Sequence, residues 1–264
     1  MKTDLIKINK DVLDYCYNEQ FDIDHFKKID PCGVVYKLLE HTSYQLDIEL
    51  GALFIAMISW GSRKVIYPTA LNMIENEMAW HPASFILDRK YLDSYKNAKN
   101  QCVYRTLNTK AFKQVCENIF TVLTTYNDDK ITLEKIFDGR STKDIINDIC
   151  YWLSPARVGT VNKSACKRIC MYVRWMTRPS IPDLGIWKTR LQNDLYAVMD
   201  VHVCKLTKDL LHNKRPSWNT CVELTNIFKK WNKDDPLRYD IALMTLSDRL
   251  ENNDVDFSNK VKYS

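Results

Sequence analysis

Lys167 and Asp200 are the two residues of this chain whose types and positions indicate chemistry. Ser164 is expected to be the N-cap of a helix, which makes Lys167 its third helical residue. A capping box would have Glu or Gln there, and the helix dipole disfavours an ammonium at that end. Arg168 adds like charge next to it, so both effects favour a neutral, nucleophilic amine. The competing interpretation is a helix face of solvated basic residues.

Asp200 stands between an apolar run, Leu195 to Met199, and a periodic segment, Val201 to Leu211. Its default role is therefore the N-cap of the helix that begins there. A capping carboxylate at the mouth of a cleft can also face a lysine and stabilise positive charge on a carbon atom under attack. The two roles are compatible, and the sequence leaves both open.

The residues before Lys167 predict a helix, a hairpin and a second helix. A helix over 144–153 ends before Pro155, a short loop containing Gly159 turns the chain, and the second helix runs to about Arg178. Such a turn can present backbone N–H groups to one phosphate of a DNA strand. The alternative is an ordinary pair of antiparallel helices joined by a solvated basic loop.

The segment from Pro155 to Pro182 is strongly basic. It holds six cationic side chains and no Asp or Glu, although the formal net charge of the whole chain is only +5. This segregation of charge favours a polyanionic partner. The residues expected to meet the DNA backbone are Arg157, Gly159, Lys163, Ser164 and His202.

Composition and periodicity indicate an all-α globular protein. The chain has 264 residues, 45% of them hydrophobic, with apolar residues recurring at helical spacing almost throughout. The longest uncharged run, Leu50 to Ser62, falls short of the roughly 18 residues that a membrane span needs and is expected to be a buried helix. The mixed charges of the first residues argue against a secretory signal, so we expect a cytoplasmic protein without a membrane partner.

The nine cysteines are scattered and include no C-x-x-C pair. Zinc ribbons and iron–sulfur clusters require such local pairs, so the spacing favours buried, reduced thiols over a metal site. No glycine array of the phosphate-cradling type is present either. We therefore expect neither a metal nor another cofactor.

Five motifs between residues 164 and 243 resemble the bacterial family DUF2400. They are SACKR (164–168), VRWMTR (173–178), DLGIW (183–187), DVH (200–202) and DPLRYDIAL (235–243). That family resembles a branch of the helix-hairpin-helix DNA glycosylase superfamily, and within it the archaeal 8-oxoguanine glycosylase. The resemblance extends over roughly residues 30 to 250. Two features depart from it: the usual Leu-Pro-Gly-Val-Gly hairpin is replaced by PARVGTV (155–161), and the four-cysteine cluster loop of endonuclease III is absent.

The resemblance implies a two-lobed fold with a DNA-binding cleft. Residues 45–180 would form a central lobe that ends in the helix-hairpin-helix. The segment 1–44 would pack with 181–264 in a second lobe that carries Asp200. A monomer would then act on double-stranded DNA that contains a damaged base, near the nucleoid of a bacterial cell.

The resemblance also implies a mechanism. Lys167 would attack C1′ of a nucleotide flipped out of the duplex and displace an oxidised purine, 8-oxoguanine first of all, with Asp200 stabilising the positive charge. The resulting Schiff base would give the enzyme an associated lyase activity at abasic sites. Lys163 is the rival nucleophile. Residues expected to contact the base are Trp60, Arg174, Met199, Tyr239 and Asp240. The alternative function is a non-catalytic helix-hairpin-helix protein that grips DNA, with Lys167 on a phosphate.

Overall fold

The computed structural model describes residues 7–19, 21–97, 101–126, 128–212 and 215–251. Within these ranges the chain is mostly helical, which confirms the all-α class. The helices are α1 Lys10–Glu19, α2 Ile23–Ile29, α3 Cys32–His41, α4 Gln45–Ile58, α5 Arg63–Asn72, α6 Pro82–Leu87, α7 Thr109–Thr125, α8 Leu133–Ile136, α9 Thr142–Trp152, α10 Lys167–Thr177, α11 Val201–Leu206, α12 Trp218–Trp231 and α13 Arg238–Glu251. A short antiparallel hairpin, β1 (Cys102–Tyr104) with β2 (Leu107–Asn108), precedes α7.

Helix α4 is the centre of the packing. All its residues from Leu46 to Ile58 are buried, and it contacts α3, α6 and α10. A helix that is apolar on every side is expected in such a position. Gly51 lets α3 approach closely, since a Cβ there would lie 2.3 Å from Cδ2 of Leu38. The expected buried helix at Leu50 to Ser62 is thus found, shifted toward the N-terminus and ending at Ile58.

The two acidic residues of α4 serve as remote helix caps. Glu49 is fully buried and accepts hydrogen bonds from the N–H groups of Leu133 (2.6 Å) and Glu134 (3.1 Å) at the start of α8. It also accepts one from Trp187 Nε1 at 2.7 Å. Asp47 accepts one from the N–H of Ala83 in α6 at 2.8 Å. Burial raises the pKa of Glu49, while these donors oppose the shift, so α4 carries no unsatisfied carboxylate into the core.

Helices from the two ends of the described chain meet. Helix α1 packs on α13, and α11 also contacts α13. Helices α2 and α3, however, contact α4 and α5, which belong to the expected central lobe. The division into 1–44, 45–180 and 181–264 therefore stays a prediction, and residues 1–6 and 252–264 of these ranges lie outside the described residues.

None of the helices in the described ranges combines the length and the apolar character needed to cross a bilayer.

Candidate functional site

The connection between α9 and α10 is a compact loop. After α9 the chain makes a 3₁₀ turn at Ser154–Ala156, and α10 then begins at Lys167. The predicted N-cap, Ser164, is wrong. Its hydroxyl stays within the loop and accepts hydrogen bonds from the N–H groups of Thr160 (3.1 Å) and Cys166 (3.3 Å). Cys166 is the N-cap instead, in the left-handed conformation (φ 46°) and without a side-chain capping bond.

This shift changes the setting of Lys167. It is the first helical residue and not the third, so the capping-box comparison does not apply to it. It remains at the positive end of an eleven-residue helix. Because Cys166 supplies no side-chain cap, the first N–H groups of α10 are left for solvent or for an anion.

Gly159 is required by the shape of this loop. Its φ is +113°, and a Cβ at that position would lie 2.3 Å from Oγ of Ser164. Only glycine adopts such a backbone conformation at low cost. The glycine therefore lets the Ser164 hydroxyl close the loop just before Lys167.

Lys167 and Asp200 lie side by side. The Nζ atom of Lys167 is 2.7 Å from Oδ2 of Asp200, and the two side chains are 37% and 23% exposed. Asp200 is also the N-cap of α11, as the sequence predicts, and its Oδ1 accepts a hydrogen bond from the N–H of Val203 at 2.9 Å. One carboxylate thus caps a helix with one oxygen and faces the lysine with the other.

The carboxylate of Asp200 is held in its charged form. Burial alone would raise its pKa, but the Lys167 ammonium and the hydrogen bond from Val203 outweigh that effect and lower the pKa below its ordinary value. The resting site is therefore an ion pair.

The pair opens into a cleft of about 870 Å³. The walls of the cleft come from α2, the turn after α4, the start of α5, one face of α10, the start of α11 and α13. Lys167, Asp200, Arg174, Asp240 and His202 all line it. A second, more open hollow of about 560 Å³ beside α7 contains neither Lys167 nor Asp200.

Arg174 lines the cleft but is engaged by carboxylates. Its Nε lies 3.1 Å from Oδ1 of Asp183, and its Nη1 lies 3.5 Å from Oδ2 of Asp240. Only 7% of the side chain is exposed. Arg174 therefore anchors Asp240 in the wall, and the charge pattern of the sequence did not reveal this pairing.

Asp240 lines the cleft and has one carboxylate oxygen without a partner among the described residues. Its Oδ2 accepts from the N–H of Val198 at 2.9 Å, whereas its Oδ1 is buried with no hydrogen-bond partner among the described residues. Burial raises the pKa of Asp240 to about 6, against the opposing effect of Arg174. A carboxyl in this state can accept a hydrogen bond from a ligand or, once protonated, donate one.

Three residues expected at the base pocket lie outside the cleft walls. The Trp60 ring packs against Tyr104 and the guanidinium of Arg105. Met199 is buried beside Cys204, with the two sulfur atoms 3.1 Å apart. Tyr239 is buried within an aromatic cluster that also contains Phe228 and Trp231. Met199 and Tyr239 are core residues, and Trp60 is partly buried.

The expected backbone-contact residues lie on the surface. Arg157, Lys163 and His202 are exposed, Gly159 and Ser164 are partly exposed, and of these only His202 lines the cleft. Lys163, the rival nucleophile, is thus not among the residues that form the cleft. The loop and the cleft share one edge, at the start of α10.

The cleft also contains polar residues that the sequence did not single out. Arg63 donates to both carboxylate oxygens of Asp248, at 2.7 and 3.0 Å, and its Nε lies 3.7 Å from Asp30. Asp30 accepts a hydrogen bond from the N–H of Cys32. No local pattern links these residues, because α2, α5 and α13 meet only in the folded chain.

Within the described part of the chain, no group of three or more His, Cys, Asp and Glu side chains is arranged to hold a metal ion.

A family model described as "Protein of unknown function (DUF2400)" matches residues 30–248. The matched range contains Lys167, Asp200 and most of the cleft. No curated protein and no solved structure matches the chain.

Proposed function

The chain belongs to the DUF2400 family, and we propose that it is a DNA glycosylase that excises an oxidised purine, expected to be 8-oxoguanine, with an associated lyase activity. The observation that carries this proposal is the 2.7 Å contact between Lys167 Nζ and Asp200 Oδ2 at the edge of a cleft. An amine and a carboxylate at this distance are the two groups that glycosidic-bond cleavage through a Schiff base requires. The two-lobed glycosylase fold suggested by the sequence motifs belongs to the same proposal.

The lysine performs the covalent step. The Lys167 ammonium first loses a proton, and the neutral amine attacks C1′ of the flipped nucleotide. The C1′–N9 bond breaks, and its electron pair leaves with the base, which takes up a proton. As the sugar ring opens, the C1′–O4′ electron pair stays on O4′, which takes up a proton, and the amine loses its second proton, which leaves a protonated Schiff base between Nζ and C1′. Loss of a C2′ proton then expels the 3′ phosphate.

Asp200 supplies electrostatic stabilisation. Its lowered pKa makes it a poor proton acceptor near neutral pH but keeps its negative charge available. Positive charge builds up on C1′ in the transition state, and a fixed carboxylate beside it stabilises that charge. Its bond to Val203 holds the carboxylate in place while the lysine moves.

Asp240 is suited to contact the base, and Arg174 to hold Asp240 in position. The free Oδ1 of Asp240 can accept a hydrogen bond from a ring N–H, such as the N7–H that a purine gains when C8 is oxidised. Arg174 orients this carboxylate through Oδ2 and does not itself need to reach the base. Pocket contacts of this kind offset the few kcal/mol that base flipping costs.

The loop before α10 is suited to hold the DNA backbone. Arg157 and Lys163 are exposed there, and the first N–H groups of α10 lack a side-chain cap. A phosphate bound at this helix end would lie close to Lys167. This arrangement supports DNA binding for the enzyme and for a non-catalytic DNA-binding protein alike.

Borohydride trapping tests the chemistry. The protein is incubated with a duplex containing 8-oxoguanine, or a preformed abasic site, and sodium borohydride reduces any Schiff base to a stable crosslink. We expect a crosslink with the wild-type protein and none with Lys167→Gln. Lys163→Gln removes the rival nucleophile from the same loop, and it should still form the crosslink although it binds DNA more weakly.

A second variant tests Asp200. Asn is as good an N-cap as Asp, so Asp200→Asn should keep α11 and DNA affinity. Base excision should slow by about 10²- to 10³-fold, the usual cost of one lost electrostatic stabiliser. A wild-type protein that binds DNA but traps no oxidised purine or abasic site would instead be a non-catalytic helix-hairpin-helix protein.

A further inference from the structure

The β1–β2 hairpin presents an arginine beside the cleft. Arg105 lies in the tight turn between the strands, with φ +49°, and its side chain is exposed. Its guanidinium lies over the Trp60 ring, with its carbon atom 4.1 Å from the ring centroid. This stack fixes the position of a long, flexible side chain on a rigid aromatic surface.

Three contacts hold the stack together. The Tyr104 hydroxyl donates to the carbonyl oxygen of Trp60 at 2.6 Å, and its ring meets the indole edge-on. Gly61 makes room for the arginine, because a Cβ there would lie 2.1 Å from Nη1 of Arg105. The hairpin is thus attached to the turn after α4, and Arg105 is preorganised before any ligand arrives.

The stack is continuous with the candidate site. Gly61, next to Trp60, lines the cleft. Trp60 is also within 6.0 Å of the Arg168 guanidinium, which donates to the carbonyl oxygens of Met57 and Arg157 at 2.5 Å each. Arg105 and the loop that carries Arg157 are therefore neighbours on one surface beside the start of α10.

The charge of Arg105 is available to a ligand. No carboxylate of the described residues lies within ion-pair distance of it, whereas Arg63, Arg89, Arg140, Arg174, Arg178, Arg190 and Arg238 each have one. Stacking covers one face of the guanidinium, while the side chain as a whole stays exposed. The planar fork of an arginine fits two oxygens of a carboxylate or a phosphate, and phosphate is the anion that DNA presents.

We propose that Arg105 binds a phosphate of the DNA backbone and extends the contact made by the 157–163 loop along the duplex. The proposal rests on the DNA-binding part of the proposed function but not on its chemistry. It assigns a DNA contact to the hairpin and makes Trp60 the support for that contact. Trp60 then acts through Arg105 and not by stacking on a flipped base.

DNA affinity and its salt dependence test the proposal. The probe is a short duplex with a stable tetrahydrofuran abasic-site analogue, measured by fluorescence anisotropy from 50 to 200 mM salt. Arg105→Ala should weaken binding about 5- to 30-fold, as expected for one charged hydrogen-bonded contact. The slope of log K against log salt should shrink by about 0.9, the loss of one phosphate contact.

Three control variants distinguish a phosphate contact of Arg105 from a role of its side chain in packing the hairpin. Arg105→Lys keeps the charge without the planar fork, so it should keep the salt slope and lose less affinity than Arg105→Ala. Thr106→Ala changes the exposed neighbour in the same turn without a charge, and Arg140→Ala removes an exposed charge paired with Asp148 elsewhere. Both should bind like the wild type.

The outcomes are distinct from those of the trapping experiment. Equal affinity and slope for Arg105→Ala and the wild type would overturn the hairpin contact, even if Lys167 forms its crosslink. Binding with the expected slope change but no crosslink would support the hairpin contact and remove the lyase activity. A wild-type protein that binds no DNA would overturn both proposals.

Discussion

The first part of the basic stretch presents Arg157, Lys163 and Lys167 to solvent and the cleft, whereas in the last part Arg174 and Arg178 point into the protein. Arg178 is fully buried, with Asp183 at 3.1 Å, Asp235 at 2.8 Å and the Ser180 carbonyl oxygen at 2.7 Å.

The cations of the two parts carry the same formal charge but have opposite roles. An exposed cation keeps its hydration and its attraction for an anion, while a buried one is neutralised by carboxylates brought to it by the fold. The count of six cations therefore overstates the surface available to a polyanion. The exposed part is the one on which the proposed DNA binding depends, and the buried part joins α10 to the segment after it and to the start of α13.

The largest effect is expected when a buried arginine is removed. Arg178→Met leaves the carboxylate of Asp235 without its arginine and Asp183 with Arg174 alone, which should cost about 3–5 kcal/mol of unfolding free energy. Urea denaturation followed by circular dichroism measures this loss. Arg157→Met is the matched exposed control and should stay within about 0.5 kcal/mol of the wild type. A loss below about 1 kcal/mol for Arg178→Met would contradict the contrast between the two parts.

A substitution at Gly159 tests whether the loop in the exposed part has a defined backbone conformation. Gly159→Ala should cost about 2–3 kcal/mol, because alanine is strained at φ +113° and its Cβ would meet Oγ of Ser164 at 2.3 Å. Gly139→Ala is the control, with φ +70° and nothing within 4 Å of a Cβ, and should cost only about 1 kcal/mol. Equal losses in thermal unfolding would show that the contact with Ser164 does not matter.

Asp240, which pairs with Arg174 of the buried part, makes the unfolding free energy depend on pH. Burial raises its pKa from the ordinary value of 3.8 to about 6, so the folded protein binds this proton more tightly than the unfolded chain. The stabilisation is complete below about pH 4 and is lost as the pH rises through about 6.

Asp240→Asn removes this titration. The stability of the wild type relative to the variant should therefore fall by about 1–3 kcal/mol between pH 4 and pH 7. Urea unfolding of both proteins across this range measures the difference, and groups common to both, Asp200 among them, cancel. Parallel stability curves would exclude a raised pKa for Asp240.

The smallest effect on folding is expected at the exposed end. Arg157→Ala should leave the unfolding free energy within about 0.5 kcal/mol. It should weaken binding to an abasic-site duplex several-fold, since it removes one phosphate contact. Fluorescence anisotropy and urea unfolding of the same preparation measure both. If Arg157→Ala loses stability instead of DNA affinity, Arg157 stabilises the fold, as the buried arginines do, and does not bind a phosphate.

Local patterns predicted local structure well. Helical periodicity predicted the all-α class, and the run before Asp200 predicted a helix capped by that residue, which the structure confirms. These succeed because periodicity and caps depend on residues within a few positions of each other. Ser164 failed as an N-cap for a similarly local reason, since its hydroxyl has a competing partner at Thr160.

Which residues form the site depends on contacts between segments that are distant in the sequence. Arg178 pairs with Asp235 across 57 positions, and Arg174 with Asp240 across 66. Trp60 meets a hairpin that begins more than forty residues later, so its exclusion from the cleft could not be read from its own neighbourhood.

By itself the sequence determined the helical class, the two helices joined by the loop that ends at Lys167, the capping role of Asp200 and the resemblance to DUF2400. Only the tertiary structure decided that Lys167 and Asp200 are in contact, which cations face water, and which polar residues line the cleft. The physical reason is that a helix and its cap are stabilised by neighbours along the chain. Burial and ion pairing, in contrast, depend on which distant segments pack together.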